Sequence, residues 1–261
     1  TLFSEDDFLS WGWRIPFLLS SILVLIGLWI RKDIDETPDF QKVKQSGQVA
    51  KAPLRDTLKH HWREVLIAAG LKVVETAPFY IFSTFVVSYA TTTLTYQKSQ
   101  ALEAVTLGAL VATIMIPLMG LLSDKIGRQR MYAVSVFVLG LFIVPWFMLL
   151  NTGTTWGIVL ATVIAFGVLW APVTAVLGTL CSEIFSANVR YTGITLGYQL
   201  GAALAGGTAP LIATGLLAKY DGEWVPVAWY LAVTVVISLI AIFCASRVKP
   251  TPVVQAQPDH I

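Results

Sequence analysis

The sequence predicts an all-α polytopic membrane protein with seven transmembrane helices. Of its 261 residues, 56% are hydrophobic and 13% are charged, and the mean hydropathy is +0.70. An ordinary soluble domain carries roughly a quarter charged residues. Backbone groups inside lipid must be satisfied within each segment, so the spans are expected to be helices. Seven apolar segments reach the roughly 20 residues that cross a bilayer, and they lie at about 13–30, 64–91, 102–122, 131–150, 155–181, 193–217 and 226–246.

Composition also excludes several kinds of partner and cofactor. A net charge of +2 gives no basis for nucleic-acid binding. Cys181 and Cys244 lack the spacing of metal ligands, and we expect both to be reduced near cytoplasmic span ends. His60 and His61 precede a span, where a solvated pair is favoured over a metal site. We therefore expect no metal, no cofactor and no nucleic acid, with the lipid bilayer as the surroundings.

A polar segment after the first span divides the chain. We expect an external segment and the first span within residues 1–31, with Arg14 as an interfacial anchor. Residues 32–63 are charged and form a linker, in which Thr37-Pro38 marks the end of a helix and a turn. Two further parts follow, a six-helix bundle and a cytoplasmic tail, at residues 64–247 and 248–261.

The distribution of Lys and Arg predicts the orientation, because membrane proteins retain these residues on the cytoplasmic side. Residues 31–63 carry eight of them, residues 123–130 carry three, and residues 182–192 carry one. The loops on the opposite side carry Lys98 and Lys219. This asymmetry places the linker and the C-terminus in the cytoplasm.

The second span contains the strongest candidate for a transport site. Lys72 and Glu75 are charged residues well inside the span, and each charge costs about 2.5–3.5 kcal/mol at the bilayer centre. They are three residues apart and share a helical face with Phe79, and Tyr80 lies beyond the bend that Pro78 predicts. In a functional interpretation, Lys72 attracts an anionic solute and Glu75 carries a coupling proton. In a structural interpretation, the two charges neutralise each other or pair with another part of the protein.

Two later spans carry further candidates for the same site. Trp170 either lines a cavity or faces lipid, and we favour the cavity. Tyr198 and Gln199 lie in a span that is otherwise rich in small residues, and a large amide such as Gln199 needs a partner, either a solute or a neighbouring helix. Gly197 and Gly201 have the G-x-x-x-G spacing that lets helices pack closely, so we expect a packing surface there.

The loop after the third span carries a candidate conformational gate. Residues 120–130 read G-L-L-S-D-K-I-G-R-Q-R. Gly127 allows a tight turn with positive φ, and Asp124 lies within reach of Arg128 or Arg130. Such an ion pair can hold one packing of the helices and release it in another. The cations also keep the loop in the cytoplasm, and the two roles are compatible.

This loop resembles a signature of the major facilitator superfamily, G-x-L-x-D-x-x-G-R-[KR], which joins that family's eighth and ninth helices. The conserved positions of the signature are occupied here by Gly120, Asp124, Gly127 and Arg128. Three other stretches resemble the metabolite:proton symporter branch: W-G-W-R-I-P-F-L, E-T-P-D-F and S-E-I-F-S-A-N-V-R-Y-T-G, at residues 11–18, 36–40 and 182–193.

The third stretch departs from the branch at two positions. Ser182 and Ser186 stand where the branch has prolines. This change affects the stiffness of the loop more than its charges, Glu183 and Arg190, which the resemblance places with the gate.

The resemblance implies both the fold and the activity. We expect the last helix of the N-terminal half and the six-helix C-terminal bundle of a major facilitator transporter, with the missing N-terminal half as a partner. Members of the branch move shikimate, oxoglutarate, citrate, or proline and betaine, together with protons. This implies secondary active symport of a small organic acid or zwitterion by alternating access, in a bacterial inner membrane.

Other functions fit the sequence less well. A passive facilitator of the same solutes differs from a symporter only in its coupling to protons. A heptahelical receptor or retinal protein is disfavoured by the long linker and by the absence of Lys from the last span. We do not expect the protein to be an enzyme, because the spans carry no paired Asp residues, no His-Glu metal set and no Gly-x-Ser-x-Gly motif.

Overall fold

The computed structural model describes residues 5–32, 41, 53–187 and 189–248. The E-T-P-D-F stretch, much of the predicted linker and all but the first residue of the predicted tail lie outside these residues. The chain forms two compact units, Thr1–Gly47 and Gln48–Ile261, and the division falls inside the predicted linker.

The first unit contains one apolar span. A helix at Glu5–Ser10 is followed by a 3-10 turn at Gly12–Arg14 and a helix at Ile15–Lys32. The guanidinium of Arg14 lies 4.3 Å from the ring centroid of Trp13 and donates to the carbonyl of Ser10 at 2.6 Å. Both contacts hold the Arg14 side chain at the start of the span, where the sequence predicts an interfacial anchor.

The second unit contains six apolar spans and is all-helical in its described part, which confirms the predicted fold class. A short helix, Pro53–His60, precedes them and is separated from the next helix by a break at His61. Counting Gly12–Ile30 as span 1, spans 2 to 7 are Trp62–Thr92, Lys98–Ile126, Arg128–Leu150, Thr155–Ile184, Arg190–Lys219 and Val225–Ala245. All seven spans agree with the predicted segments to within a few residues.

Three of these spans contain a π-helical segment. Span 2 is α-helical at Trp62–Tyr80 and Val86–Thr92, with a π-helix at Ile81–Phe85 between them. The π-helix begins three residues after Pro78, where the sequence predicts an irregularity. Two further π-helices interrupt spans 5 and 6, at Val163–Leu169 and Ala202–Gly206. Single-turn π-helices often occur at functional sites.

Span 2 is a central helix of the bundle and packs closely against spans 6 and 7. A methyl group on Gly197 would lie 2.5 Å from Cβ of Ala68, so span 6 touches span 2 where only glycine fits. A methyl group on Gly70 would lie 2.8 Å from Cβ of Ala241 in span 7. These contacts support the predicted packing role of the small residues and bring two neighbouring helices against the segment that carries Lys72 and Glu75.

Candidate transport site

Lys72 and Glu75 form an ion pair inside span 2. Nζ of Lys72 contacts Oε2 of Glu75, and only 18% and 13% of the two side chains are exposed. Their spacing of three residues places them on one helical face. The pair therefore cancels two charges that would otherwise be costly inside the span.

Two hydroxyl groups complete the surroundings of the Glu75 carboxylate. Oγ1 of Thr174 in span 5 donates to Oε1 at 2.7 Å, and Oγ1 of Thr76 donates to Oε2 at 3.0 Å. Oγ1 of Thr76 also lies 2.9 Å from the carbonyl of Lys72. The carboxylate thus lies within hydrogen-bonding distance of one ammonium and two hydroxyl groups, and the single proton of Thr76 is shared between the carboxylate and the Lys72 carbonyl.

Tyr198 of span 6 covers the Lys72 side chain. The ammonium lies 4.8 Å from the centroid of the Tyr198 ring, which is within the range of a cation–π interaction. A methyl group on Gly201 would lie 2.7 Å from Cβ of Lys72, so span 6 lies directly against the lysine stem. Span 6 therefore contributes an aromatic face and a close backbone to the Lys72 side of the pair.

Aromatic rings line the same region toward the π-helical segments. The ring of Phe79 lies 5.2 Å from Trp170, 5.6 Å from Phe166 and 5.3 Å from Tyr80, measured between centroids. Nε1 of Trp170 donates to the carbonyl of Glu75 at 2.7 Å. Trp170 is 7% exposed, so it packs against span 2 and is not a lipid-facing residue. Tyr80 is 37% exposed and lies at the edge of this cluster.

Gln199 does not join the cluster. Its side chain is exposed and makes no hydrogen bond with any described residue. The reason is the helical phase, because consecutive helical residues are about 100° apart and Tyr198 already occupies the face toward Lys72. The expectation that this amide has a partner within the bundle therefore finds no support among the described residues.

A second group of charges joins the ends of spans 3, 4 and 5. The guanidinium of Arg128 contacts Oδ1 of Asp124 at 3.1 Å and also contacts Oε1 of Glu183. Gly127 adopts φ of +93°, which is the positive value that the predicted turn requires. Of the two cations within predicted reach of Asp124, Arg128 is the one that forms the pair. We call Asp124, Arg128 and Glu183 the end network.

The other predicted gate residues lie outside this network. Arg130 makes no ion pair with the residues that the structure describes. Nε of Arg190 donates to the carbonyl of Phe185 at 3.3 Å, so this arginine holds its own loop. A side chain at Gly120 would meet no atom within 4 Å, so no close contact here requires a glycine.

Comparison with known proteins decides the family. The Major Facilitator Superfamily profile matches residues 8–206 and, in a second alignment, residues 79–260. The chain belongs to the major facilitator superfamily. The resemblance seen in the 120–130 loop is therefore confirmed, and the relatives are named as transporters and not as enzymes.

Three relatives illustrate this superfamily match. The shikimate transporter of Escherichia coli (strain K12) is 32% identical over 90% of this chain and 54% of its own length. The glycine betaine/proline/ectoine/pipecolic acid transporter OusA of Dickeya dadantii is 30% identical over 92% of this chain and 49% of its own. The inner membrane metabolite transport protein YhjE of E. coli is 30% identical over 95% and 57%. The chain thus spans about half the length of the curated relatives it matches, and no solved structure matches it.

The structure adds Thr174 as a candidate residue of the site that the sequence did not reveal. Thr174 binds the Glu75 carboxylate, yet threonine in an apolar helix usually bonds to its own backbone, as Thr113 and Thr214 do here. Only its position two residues after Pro172 distinguishes it in the sequence. The cluster of Lys72, Glu75, Thr174, Tyr198 and the aromatic rings thus brings an ammonium, a carboxylate and apolar ring faces together in a largely buried region.

Proposed function

We propose that this chain is the C-terminal portion of a proton-coupled symporter for a small organic acid or zwitterion. The supporting observation is the ion pair of Lys72 and Glu75 inside span 2. The protein would work by alternating access in a bacterial inner membrane, with its C-terminus in the cytoplasm. The N-terminal half of the same transporter would supply the opposite wall of the site, because such sites lie between two repeats near the bilayer midplane.

The chemistry of the pair suggests how solute and proton are linked. Shikimate, proline and betaine, which relatives are named for, each carry a carboxylate. A solute carboxylate at Lys72 would occupy the place that Glu75 holds, and two carboxylates cannot both face one ammonium without repulsion. Protonation of Glu75 removes its charge and leaves Lys72 available for the solute. Proton and solute would therefore bind together and leave together.

The remaining residues of the cluster fit supporting roles. Thr174 and Thr76 bond to the Glu75 carboxylate and would hold it beside Lys72. The rings of Phe79 and Trp170 offer an apolar wall for the body of a solute, and Tyr80 and Tyr198 offer aromatic faces for a cationic group. Gln199 would contact the solute only from the exposed side of span 6, where the N-terminal half would lie.

The end network is proposed to stabilise one state of the cycle. Arg128 links the turn between spans 3 and 4 to the end of span 5, so the ends of three helices move together while it is intact. Gly120, Arg130 and Arg190 would act at the same end of the bundle. The driving force would be the proton gradient and the membrane potential, worth about 2.3 kcal/mol per charge per 100 mV.

The test is uptake by the full-length transporter in proteoliposomes. Radiolabelled shikimate, proline and glycine betaine are supplied with and without an inward proton gradient, to the wild type and to Glu75→Gln. We expect one solute to accumulate only when the gradient is imposed, and we expect Glu75→Gln to lose that accumulation. Equal and non-concentrative entry in both conditions would show a passive facilitator. Unchanged accumulation by Glu75→Gln would exclude Glu75 as the proton site.

A further inference from the structure

The backbone around the ion pair is hydrogen-bonded by side chains from three other spans. Residues 70–75 of span 2 receive these bonds on three of their carbonyl groups and one N–H group. Most side-chain hydrogen bonds of helical hydroxyl groups in this chain are to their own helix. Four bonds from three different helices to one short segment are therefore a distinct feature of the bundle.

Ser238 of span 7 bonds to two backbone groups of one turn of span 2, which is α-helical throughout Trp62–Tyr80. Its hydroxyl donates to the carbonyl of Gly70 at 2.6 Å and accepts from the N–H of Val74 at 3.1 Å. Gly70 and Val74 are the pair that an ordinary α-helix joins directly. Ser238 is fully buried, so its hydroxyl bridges the two groups without competition from water.

Tyr132 and Trp170 donate hydrogen bonds to two further carbonyl groups of the same segment. The hydroxyl of Tyr132 in span 4, which is fully buried, donates to the carbonyl of Leu71 at 2.5 Å. The indole of Trp170 in span 5 donates to the carbonyl of Glu75 at 2.7 Å. The bonds thus bracket Lys72 and Glu75 on both sides along the helix.

Pro78 explains why this segment needs outside support. Proline has no N–H, so the carbonyl of Val74 loses its helical donor, and the proline ring also pushes against that carbonyl. The π-helix at Ile81–Phe85 follows directly. The helix is therefore irregular on the C-terminal side of the ion pair, and its own hydrogen bonds fix the geometry of residues 70–75 less firmly.

We propose that Ser238, Tyr132 and Trp170 are positioning residues, which fix the backbone that sets the distance and direction between Lys72 and Glu75. This inference rests on the proposed function, because it assumes that the pair binds solute and proton. None of the three side chains needs to touch the solute for this role. A small displacement of a binding group is enough to lower affinity strongly.

Ser238→Ala is the decisive variant. Without the hydroxyl, the Gly70 carbonyl and the Val74 N–H remain helical partners of each other, so no buried polar group is left unpaired and folding should be preserved. The segment then loses its link to span 7, and we expect the ion pair to shift. Thr234→Val is the matched control, since Thr234 is a buried hydroxyl of the same span whose one bond among the described residues is to the carbonyl of Leu231.

The experiment measures KM and Vmax for proton-driven uptake by the full-length transporter, with the radiolabelled solute that the wild type accumulates from the panel of shikimate, proline and glycine betaine. We expect Ser238→Ala to raise KM about tenfold while the amount of folded protein stays at the wild-type level, and Thr234→Val to leave KM unchanged. Solute-induced thermal stabilisation gives the affinity independently of turnover. An unchanged KM, with uptake reduced only in proportion to folded protein, would overturn the proposal.

A second variant covers the case in which Ser238→Ala fails to fold. Tyr132→Phe removes one hydroxyl and should also raise KM, whereas Tyr230→Phe removes a hydroxyl that reaches Ala205 instead and should not. Glu75→Gln is measured alongside. If it retains concentrative uptake, the proton role of Glu75 fails, yet a raised KM in Ser238→Ala still supports positioning of Lys72.

Discussion

The ion pair of Lys72 and Glu75 predicts a specific pattern of stability in single and double variants. Breaking a buried pair by removing one partner costs about 3–5 kcal/mol, whereas replacing both partners by apolar residues is often neutral. The two side chains are 18% and 13% exposed, so this rule applies to them. We expect Lys72→Met and Glu75→Leu to destabilise the protein and the double variant to recover most of the loss.

The surroundings predict that the two single variants differ. Without Lys72, the Glu75 carboxylate still accepts from Thr174 and Thr76. Without Glu75, the Lys72 ammonium keeps only the face of the Tyr198 ring. Glu75→Leu should therefore be the more destabilising change.

The assay is thermal unfolding of the purified transporter in detergent. A loss of about 3–5 kcal/mol lowers Tm by roughly 6–20 °C for a domain of about 200 residues. Lys98→Met and Glu103→Leu remove exposed charges from the start of span 3 and should change stability by less than about 0.5 kcal/mol. If the double variant loses as much stability as the two single variants together, the pair is not coupled and the reasoning is wrong.

Three further changes test other contacts by similar measurements. Gly197→Leu should cost about 1–3 kcal/mol or more by overpacking spans 2 and 6, whereas Gly215→Leu, which meets open space in the same span, should leave Tm unchanged. Arg128→Gln should lower the uptake rate with a stability change of about 1 kcal/mol or less, because its ion pairs are exposed, and Lys125→Gln, at an exposed cation of the same turn, should alter neither. Thr174→Val removes one donor to the Glu75 carboxylate, worth about 1.5–3 kcal/mol for a charged acceptor, and should lower both Tm and the rate of proton-driven uptake.

The sequence predicted the spans and the charged pair because both depend on local patterns. Twenty apolar residues in a row must cross the bilayer as a helix, and charges three residues apart must share a face. Ser238 and Tyr132 could not be found this way, because their partners, Gly70 and Leu71, are distant in the sequence. A hydroxyl in an apolar helix has the same local pattern whether it bonds to its own helix or to another.

The direction in which Gln199 points could not be predicted for a related reason. An amide in an apolar segment needs a hydrogen-bond partner, but the sequence does not show on which side of the helix that partner lies. Tyr198 and Gln199 are adjacent in the sequence, and the packing of span 6 against span 2 places Tyr198 on the face of span 6 that lies toward Lys72. That choice depends on the glycines, whose lack of side chains fixes which face of span 6 approaches span 2.

The glycines of span 6 also show how the bundle tolerates a change in chain length. Gly197 and Gly201 are four residues apart, whereas Gly201 and Gly206 are five apart, and the extra residue lies within the π-helix Ala202–Gly206. The positions that they contact in span 2 keep an even spacing of four, and they are Ala68, Lys72 and Thr76. The π-turn therefore absorbs one additional residue while the contact surface stays in register. A homologue one residue shorter in this segment could form an ordinary α-helical turn here and present the same glycine face to span 2.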